Sequence, residues 1–272
     1  INARITSKSL KRWLKFPRTA KKIFNSFDLC LSSNKETEKF LRDLELKNVH
    51  YHGNIKFFNN IEEYNINNIN KDVLTNRKFW IAASTHPGEE ELCFKTHLLL
   101  KDIFKNILTI IAPRHIGRSL SIQNLSNKYK LNTQILKDGE KIEPNKDIVI
   151  LNSFGVLQNY FKYAKSVFIG KSTIKKLKDE GGQNPIEAAK LKCKIYHGPY
   201  VYNFDDIYAT LKKNNISKKI ENHEDLANYL KEDLKHFERK DEKILEILND
   251  IGKQTLDKTL RSIETFINNE TN

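Results

Sequence analysis

The stretch with the most chemical content is Gly181-Gly182-Gln183-Asn184-Pro185-Ile186-Glu187-Ala188-Ala189. Asn184 is a favourable N-cap and Pro185 suits the first position of a helix, so the pattern predicts a helix start directly after a glycine pair. The free N–H groups at such a start attract phosphate, and the Glu187 carboxylate is placed to accept hydrogen bonds from ribose hydroxyls. Two interpretations stay open from this motif alone, a nucleotide site and an ordinary capped helix after a tight turn.

A second polar segment joins a predicted strand to a predicted helix. Its residues Ser84 and Thr85 offer hydroxyl groups, Gly88 allows a ligand to approach, and Glu89 favours a helix N-terminus. The imidazole of His86 has two interpretations of equal weight, a bond to a sugar or phosphate and a bond that orders the loop.

Two further segments each follow a buried strand. Arg114, next to Pro113, is placed for bidentate recognition of a phosphate or carboxylate, with a surface salt bridge as its alternative. In Phe154-Gly155-Val156 the backbone groups and the Phe154 ring are candidates for shaping a base pocket. The alternative for this segment is a capped helix with Phe154 in the core.

Short apolar runs alternate with helical patterns through the middle of the chain. Strands are predicted at residues 28–33, 48–52, 78–84, 106–112, 132–136, 147–151, 166–169 and 194–196. Helices are predicted at 35–44, 89–104, 116–129, 156–163 and 185–191, with a linker at 59–76 and a mostly helical pattern after 203. This alternation is typical of βαβ units on a parallel sheet, whose ligands bind beyond the carboxyl ends of the strands. All of the polar segments above lie at that edge.

Composition limits the classes of function. The 272 residues are 39% hydrophobic, which supports a real core, and they carry a formal net charge of +13. Eight basic residues precede the first acid, Asp28: Arg4, Lys8, Lys11, Arg12, Lys15, Arg18, Lys21 and Lys22. Such a segment, interleaved with aromatic residues, suits an anionic membrane surface or nucleic acid, and a solvated helix face is the plain alternative. No RNA-binding or helix-turn-helix signature supports nucleic acid, so we expect none as a partner.

Metal and disulfide chemistry are not expected. Cys30, Cys93 and Cys193 lack C-x-x-C spacing, and the eight histidines include no H-E-x-x-H pair. No apolar stretch approaches the ~20 residues that a membrane-spanning helix needs. The sequence begins with Ile1 and contains no Met, from which we expect a fragment or a processed piece.

Several motifs, read in order, resemble the bacterial 3-deoxy-D-manno-octulosonic acid (Kdo) transferases, and they span nearly the whole chain. They are Asn2-Ala3-Arg4, Gly53-Asn54-Ile55-Lys56, residues 82–90, Pro113-Arg114-His115, residues 181–189 and Gly198-Pro199-Tyr200 with Asn203-Phe204. The resemblance implies an α/β GT-B glycosyltransferase, in which a Rossmann-like C-terminal domain with a parallel sheet is preceded by a partial N-terminal domain. It assigns residues 1–60 to the acceptor-side N-terminal domain and 61–250 to the donor domain. Residues 251–272 form a C-terminal helix, for which a return to the N-terminal domain is left open.

The resemblance also implies a reaction. Kdo passes from CMP-Kdo to a lipid A precursor, lipid IVA, with inversion, in lipopolysaccharide biosynthesis and without a metal or cofactor. The expected location is the cytoplasmic face of the bacterial inner membrane, peripherally or through an anchor outside this chain. The general base of the family is a glutamate in a part that this chain lacks, so we expect donor binding without activity. The number of Kdo residues transferred and the oligomeric state stay open.

Individual roles follow from the matched motifs. Lys56 matches a family lysine that stabilises the transition state. The CMP-contacting segments match Pro113, Arg114, Phe154, Gly155, Val156, Asn184, Pro185, Ile186 and Glu187. Further donor-site contacts are expected from Ser84, Thr85, His86, Gly88, Glu89, Gly182 and Gln183.

The sequence departs from the family pattern at several of these positions. Gln183 stands in place of a His, Val156 in place of a Glu, and Lys171 in place of a Gly. These departures leave two alternatives open. One is a GT-B transferase that uses a different nucleotide sugar, and the other is a non-catalytic nucleotide-binding homologue.

Overall fold

Short, buried, apolar strands organise the chain. The computed structural model describes residues 1–58, 68–235 and 242–270. These residues fall into two compact units, one formed by residues 1–58 with 246–270 and the other by residues 68–235 with 242–245. No helix in the described ranges combines the length and the hydropathy needed to cross a bilayer.

The first unit contains a small parallel sheet and several short helices. Its elements are α1 (Ser7–Trp13), α2 (Pro17–Phe24), β1 (Cys30–Ser32), α3 (Lys35–Asp43), β2 (Val49–Tyr51) and a 3-10 turn at Ile55–Phe58. Strands β1 and β2 pair in parallel, and Ala3 forms a parallel bridge to Ser32. Side-chain caps start two of the helices, because Thr6 accepts from the Ser9 N–H and Asn34 from the Thr37 N–H.

Aromatic residues of the basic N-terminal segment pack against the core of this unit. The Trp13 and Phe24 rings meet edge to face with centroids 5.2 Å apart, and Phe24 meets Phe40 at 6.0 Å. By contrast, Leu14 and Phe16 are 59% and 65% exposed. The segment is therefore two amphipathic helices that combine core contacts with exposed apolar and basic side chains.

The second unit is built on a seven-stranded sheet. After α4 (Lys71–Asn76), its strands are β3 (Phe79–Thr85), β4 (Leu108–Pro113), β5 (Thr133–Leu136), β6 (Ile148–Leu151), β7 (Ser166–Ile169), β8 (Lys194–His197) and β9 (Ser217–Lys219). The order across the sheet is β5-β6-β4-β3-β7-β8-β9, and every neighbouring pair is parallel. Its helices are α5 (Glu89–Lys101), α6 (Ser119–Lys128), α7 (Leu157–Phe161), α8 (Ile186–Lys190), α9 (Asp205–Lys213) and α10 (His223–Lys235), and α11 (Glu242–Glu270) begins here.

The predicted parallel α/β fold is confirmed, and each predicted strand is present within one or two residues. Strand β9 was missed because two of its three residues are exposed lysines, so the segment lacks an apolar run. The first part of the predicted helix at 116–129 is a 3-10 turn, Ile116–Arg118, before α6. Of the predicted linker, residues 59–67 lie outside the described residues.

A buried carboxylate fastens helix α10 to the sheet. Asp233 accepts hydrogen bonds from Ser166 Oγ, Lys194 Nζ and Tyr196 Oη, each at 2.6 Å. Burial and the neighbouring Asp233 charge raise the pKa of the Tyr196 hydroxyl. Because each oxygen of this buried charge is hydrogen-bonded, the arrangement avoids the penalty of an unpaired ion.

A buried histidine makes the stability of the second unit depend on pH. His197 ends β8, with its Nδ1 2.7 Å from the Gly198 carbonyl and its ring centroid 4.4 Å from that of Tyr208. Burial lowers the pKa of its imidazole to about 4. The unfolded chain takes up this proton near pH 6.5, whereas the folded chain takes it up only near pH 4.

We therefore expect His197 to reduce the free energy of unfolding as the pH falls from about 6.5 to about 4, and to have no further effect below. At ~1.4 kcal/mol per pH unit the loss is about 3 kcal/mol. Urea titrations across this range should show a smaller loss in His197→Asn, which keeps a side-chain donor but does not titrate. Equal slopes in the parent and the variant would contradict this assignment.

Candidate functional site

The polar loops identified in the sequence meet at the carboxyl edge of the seven-stranded sheet. Since the strands are all parallel, the loops after β3, β4, β6 and β7 leave from that same edge. Main-chain hydrogen bonds join neighbouring loops at their bases. The Arg114 N–H donates to the Thr85 carbonyl at 3.0 Å, and the Gly170 N–H donates to the Ala83 carbonyl at 2.8 Å.

The buried Glu89 carboxylate connects two of these loops by hydrogen bonds. One of its oxygens accepts from the Ser172 and Thr173 N–H groups and from the Thr173 hydroxyl, at 2.9–3.1 Å. The other accepts from the Lys171 N–H at 2.7 Å and the His86 N–H at 3.0 Å. Glu89 is 0% exposed. A carboxylate so placed holds the β3–α5 loop and the loop after β7 in one fixed arrangement.

Gly170 makes this arrangement sterically possible. A Cβ at this position would lie 2.6 Å from the Ser84 carbonyl oxygen and 2.7 Å from a Glu89 carboxylate oxygen. Only glycine allows the two loops to approach so closely.

A second buried acid anchors the same helix start. Glu90 accepts from the Thr85 hydroxyl at 2.8 Å and forms an ion pair with Arg118 at 2.9 Å. Arg118 also donates to the Thr85 carbonyl at 3.3 Å. The expected donor contacts of Thr85 and Glu89 are corrected accordingly, because both residues are buried and their polar atoms bond within the protein. Arg118 was missed in the sequence, since no local pattern distinguishes it from a surface arginine.

Basic side chains are exposed at the same carboxyl edge of the sheet. Arg114 is exposed, and its guanidinium has no ion-pair or hydrogen-bond partner in the described part of the chain. The alternative of a surface salt bridge is therefore wrong for the described residues. Pro113 ends β4 with its side chain buried. The adjacent His115 is exposed.

His86 makes the loop-ordering contact that was one of its two interpretations. Its Nδ1 lies 3.1 Å from the Ser84 carbonyl, and its ring centroid is 6.2 Å from that of His115. Burial lowers the pKa of His86, the hydrogen bond to Ser84 and the charge of Glu89 oppose this shift, and the charges of Lys171 and His115 add to it. Ser84 is half-buried with a left-handed φ of 57°, and Gly88 precedes α5 with a φ of 100°.

The motif that opened the sequence analysis forms a short helix. Helix α8 begins at Ile186, one residue after the predicted start, so Pro185 precedes the helix. The Asn184 side chain accepts from the Ile186 N–H at 3.2 Å and so closes an Asx turn directly before the helix, although Asn184 is not its N-cap. The half-buried Glu187 accepts a hydrogen bond from the Gln158 side-chain amide, a partner for which the sequence carries no signal.

The glycine before this helix serves chain packing. Gly182 has a φ of +87°, and a Cβ on it would lie 2.9 Å from Val201 Cα. Its N–H donates to the Lys171 carbonyl at 2.6 Å. A hydrogen bond from the Tyr208 hydroxyl to the Gln183 carbonyl, at 3.0 Å, fixes the backbone at the next residue. Gly182 is thus explained by a tight contact between two loops, without a ligand.

The loop after β6 exposes an aromatic ring. Phe154 is 70% exposed, so the alternative that placed it in the core is wrong. Gly155 is exposed with a φ of 76°, and Val156 is half-buried before α7. Val156 also lines a cleft with Ser153, at the carboxyl ends of β5 and β6. An exposed ring beside a cleft has the composition of a stacking surface for a planar base.

Lys56 belongs to the first unit. It lies in the 3-10 turn at Ile55–Phe58, and its N–H donates to Asn54 Oδ1 at 3.1 Å. The described residues contain no group of three or more His, Cys, Asp or Glu side chains arranged to hold a metal ion.

Comparison with known sequences finds similar proteins. A family model described as 3-deoxy-D-manno-octulosonic-acid transferase matches residues 1–59. The 3-deoxy-D-manno-octulosonic acid transferase of Rickettsia prowazekii is 32% identical over 98% of this chain and 58% of its own length. That of Haemophilus influenzae is 27% identical over 77% of this chain and 49% of its own length. The chain thus spans about half the length of the curated relatives it matches.

Solved structures share the fold at low sequence identity. The C-terminal CMP-Kdo binding domain of WaaA from Acinetobacter baumannii is 20% identical with a TM-score of 0.56, over 68% of this chain and 91% of that domain. A putative UDP-N-acetylglucosamine 2-epimerase from Listeria monocytogenes is 12% identical with a TM-score of 0.57, over 99% of this chain and 68% of that one. These structural likenesses support the GT-B arrangement of the fold.

The Glu89 network leads to a stability prediction. Glu89→Gln replaces one accepting oxygen by an NH₂ donor that faces main-chain N–H groups, so we expect it to lower the free energy of unfolding by about 2–3 kcal/mol. Chemical denaturation monitored by circular dichroism measures the loss.

The matched control is Glu180→Gln, an exposed carboxylate in the loop that precedes α8. It should change the free energy of unfolding by less than about 0.5 kcal/mol. If both variants unfold at the same denaturant concentration as the parent, Glu89 does not hold these loops.

Proposed function

Because this chain belongs to the 3-deoxy-D-manno-octulosonic acid (Kdo) transferase family, we propose that it supplies the donor-binding part of an enzyme that transfers Kdo from CMP-Kdo to a lipid A precursor. The observation that carries this proposal is Arg114, an exposed guanidinium without a partner among the described residues, at the carboxyl edge of a parallel sheet. A guanidinium in that position suits the phosphate of a nucleotide. The match to relatives named for Kdo transfer supplies the identity of the sugar.

The chemistry of the proposed reaction needs stabilisation of an anionic leaving group. By resemblance to the family, a glutamate base takes the proton of an acceptor hydroxyl, whose oxygen attacks the anomeric carbon of Kdo with inversion. The bond from that carbon to the phosphate oxygen breaks, and CMP leaves with the electron pair. Arg114 would stabilise the charge on the departing phosphate through charge-assisted hydrogen bonds. Lys56 has a similar role by resemblance to the family.

The remaining contacts with CMP are assigned on the same basis. The exposed Phe154 ring and the cleft beside Val156 offer the base a stacking surface. Glu187 is placed to accept from the ribose hydroxyls, and the Gln158 amide that donates to it orients its carboxylate. Ser84, His86 and Asn184 lie at the same sheet edge, as further candidate contacts.

A second nucleotide sugar is the competing candidate. Val156 leaves the base side without the carboxylate that the family motif carries, so the selectivity for cytosine rests on other groups. If the donor is CMP-Kdo, as proposed, CMP should bind more tightly than UMP or GMP. A reversed order would favour a transferase for a different nucleotide sugar.

The basic and exposed apolar side chains of the first unit support a location for the proposed reaction at a membrane surface. Helices α1 and α2 carry six of the eight basic residues before Asp28, and the exposed apolar side chains Leu14, Phe16 and Ile23 lie in or next to these helices. Basic and apolar side chains on short helices suit the surface of an anionic bilayer, where the acceptor lipid lies. We propose that the protein works at the cytoplasmic face of the bacterial inner membrane.

Arg114→Ala tests the donor site. Removal of a charge-assisted hydrogen bond to phosphate should weaken CMP binding by about 1.5–3 kcal/mol, which is a tenfold to roughly 150-fold rise in Kd. Isothermal titration calorimetry of this chain with CMP measures the effect. Lys128→Ala, an exposed cation on α6, serves as the control and should leave Kd within about twofold of the parent. An unchanged Kd in Arg114→Ala would sink the assignment.

Substitution of Leu14 and Phe16 by Ser tests the membrane surface. Burial of a large apolar side chain contributes about 1.5–3 kcal/mol, so we expect the fraction that floats with anionic phosphatidylglycerol vesicles to fall about tenfold or more. Neutral phosphatidylcholine vesicles should retain little of either protein. Leu120→Ser, at an exposed apolar position in the second unit, is the control. Equal flotation of parent and double variant would exclude these two side chains from the contact.

A further inference from the structure

Lys171 occupies a backbone conformation that lysine rarely adopts. Its φ is 57°, in the left-handed region where a Cβ is unfavourable. Other residues with such a φ, including Glu45, Lys130 and Lys192, directly follow helices and end them. Lys171 instead follows strand β7, at the edge where the donor site is proposed.

Two main-chain hydrogen bonds hold this conformation. The Lys171 N–H donates to the buried Glu89 carboxylate at 2.7 Å, and the Lys171 carbonyl accepts from the Gly182 N–H at 2.6 Å. The chain therefore imposes the left-handed φ whatever the side chain, and a glycine would adopt it without strain. When the surrounding structure holds a non-glycine residue in a strained conformation next to a proposed ligand site, a functional role for its side chain is indicated.

The Lys171 side chain is half-buried, and its ammonium has no hydrogen-bond or ion-pair partner in the described ranges. Its charge acts on His86: burial lowers the pKa of that imidazole, the Ser84 hydrogen bond and the Glu89 charge raise it, and Lys171 and His115 lower it further. The buried Glu89 and Glu90 bond to main-chain N–H groups, hydroxyl groups and Arg118. Lys171 therefore shares this edge with Arg114 and the two histidines, and among the described residues no carboxylate forms an ion pair with its ammonium.

We propose that Lys171 is a specificity-determining residue of the donor site, whose ammonium binds an oxyanion of the nucleotide-sugar donor. The proposal rests on the proposed function and extends it to a residue that the donor assignment above does not include. Two groups of a CMP-linked acidic sugar offer the required chemistry, the phosphate of the nucleotide and the carboxylate of the sugar.

The test uses Lys171→Gly and Lys171→Gln in the full chain. Lys171→Gly removes both the strain and the charge, so its Tm should rise by about 2 °C while its affinity for the anionic ligand falls about tenfold or more. Lys171→Gln removes the charge and keeps the strain, so it should lose affinity without a rise in Tm. A lysine that is merely tolerated would give the first change without the second.

Three ligands locate the oxyanion by calorimetry. Cytidine carries no phosphate, CMP carries the phosphate, and CMP-Kdo adds the sugar carboxylate. If Lys171 binds the phosphate, both variants lose affinity for CMP and CMP-Kdo but not for cytidine. If it binds the carboxylate, only the affinity for CMP-Kdo falls. Lys178→Gln, an exposed lysine in the same segment, should match the parent with all three ligands.

The outcomes separate this proposal from the proposed function. Parent-like Kd values for CMP and CMP-Kdo in both Lys171 variants overturn the role of Lys171 and leave the donor site intact. A parent chain that binds neither CMP nor CMP-Kdo overturns the proposed function, and the role of Lys171 with it. An equal loss with cytidine would also overturn the proposal, because it would indicate damage to the pocket rather than loss of a charge.

Discussion

The hydrogen bonds that Glu89 accepts set the backbone of the candidate site. Its carboxylate bonds to the main chain at His86, Lys171, Ser172 and Thr173, so it fixes the loop after β3 and the loop after β7 relative to each other. Helix α5 positions this carboxylate, because Glu89 is its first residue and reaches back toward the preceding strand. Hydrogen bonds from main-chain N–H groups to a buried carboxylate are strong. The loss of one carboxylate oxygen therefore lowers the free energy of unfolding considerably.

In this network the acidic side chains are buried, whereas the basic side chains lie closer to the solvent. Glu89 and Glu90 lie at 0% and 1% exposure, where main-chain N–H groups, the Thr85 hydroxyl and Arg118 satisfy them. Arg114 and Lys171 lie nearer the solvent without a carboxylate partner among the described residues. In the proposed donor site a ligand would therefore meet Arg114 and Lys171, while the buried Glu89 and Glu90 support the backbone of the loops.

Much of the fold was readable from the chain. The apolar runs that form β3, β4, β6 and β7 predicted buried parallel strands, because strands covered on both faces need apolar side chains throughout. Strand β9 escaped, since a short edge strand with exposed lysines has no such signal. The loops of the site were also predictable, because each directly follows an apolar run that forms a buried strand. The sequence did not show that Thr85 and Glu89 are buried, because hydroxyl and carboxyl groups look alike in a sequence whether they face a ligand or the core.

The sequence by itself determined the parallel α/β architecture, the edge at which the polar loops collect and the family. These features rest on local patterns, namely apolar periodicity, glycine pairs and the order of short motifs. Only the tertiary structure decided which side chains are used internally. Glu89 bonds to residues more than 80 positions away, and Gln158 pairs with Glu187 across 29. It also showed that Gly182 serves the packing of two loops and that Lys171 is held with a left-handed φ. Such contacts arise from chain segments brought together by the sheet, and no local pattern encodes them.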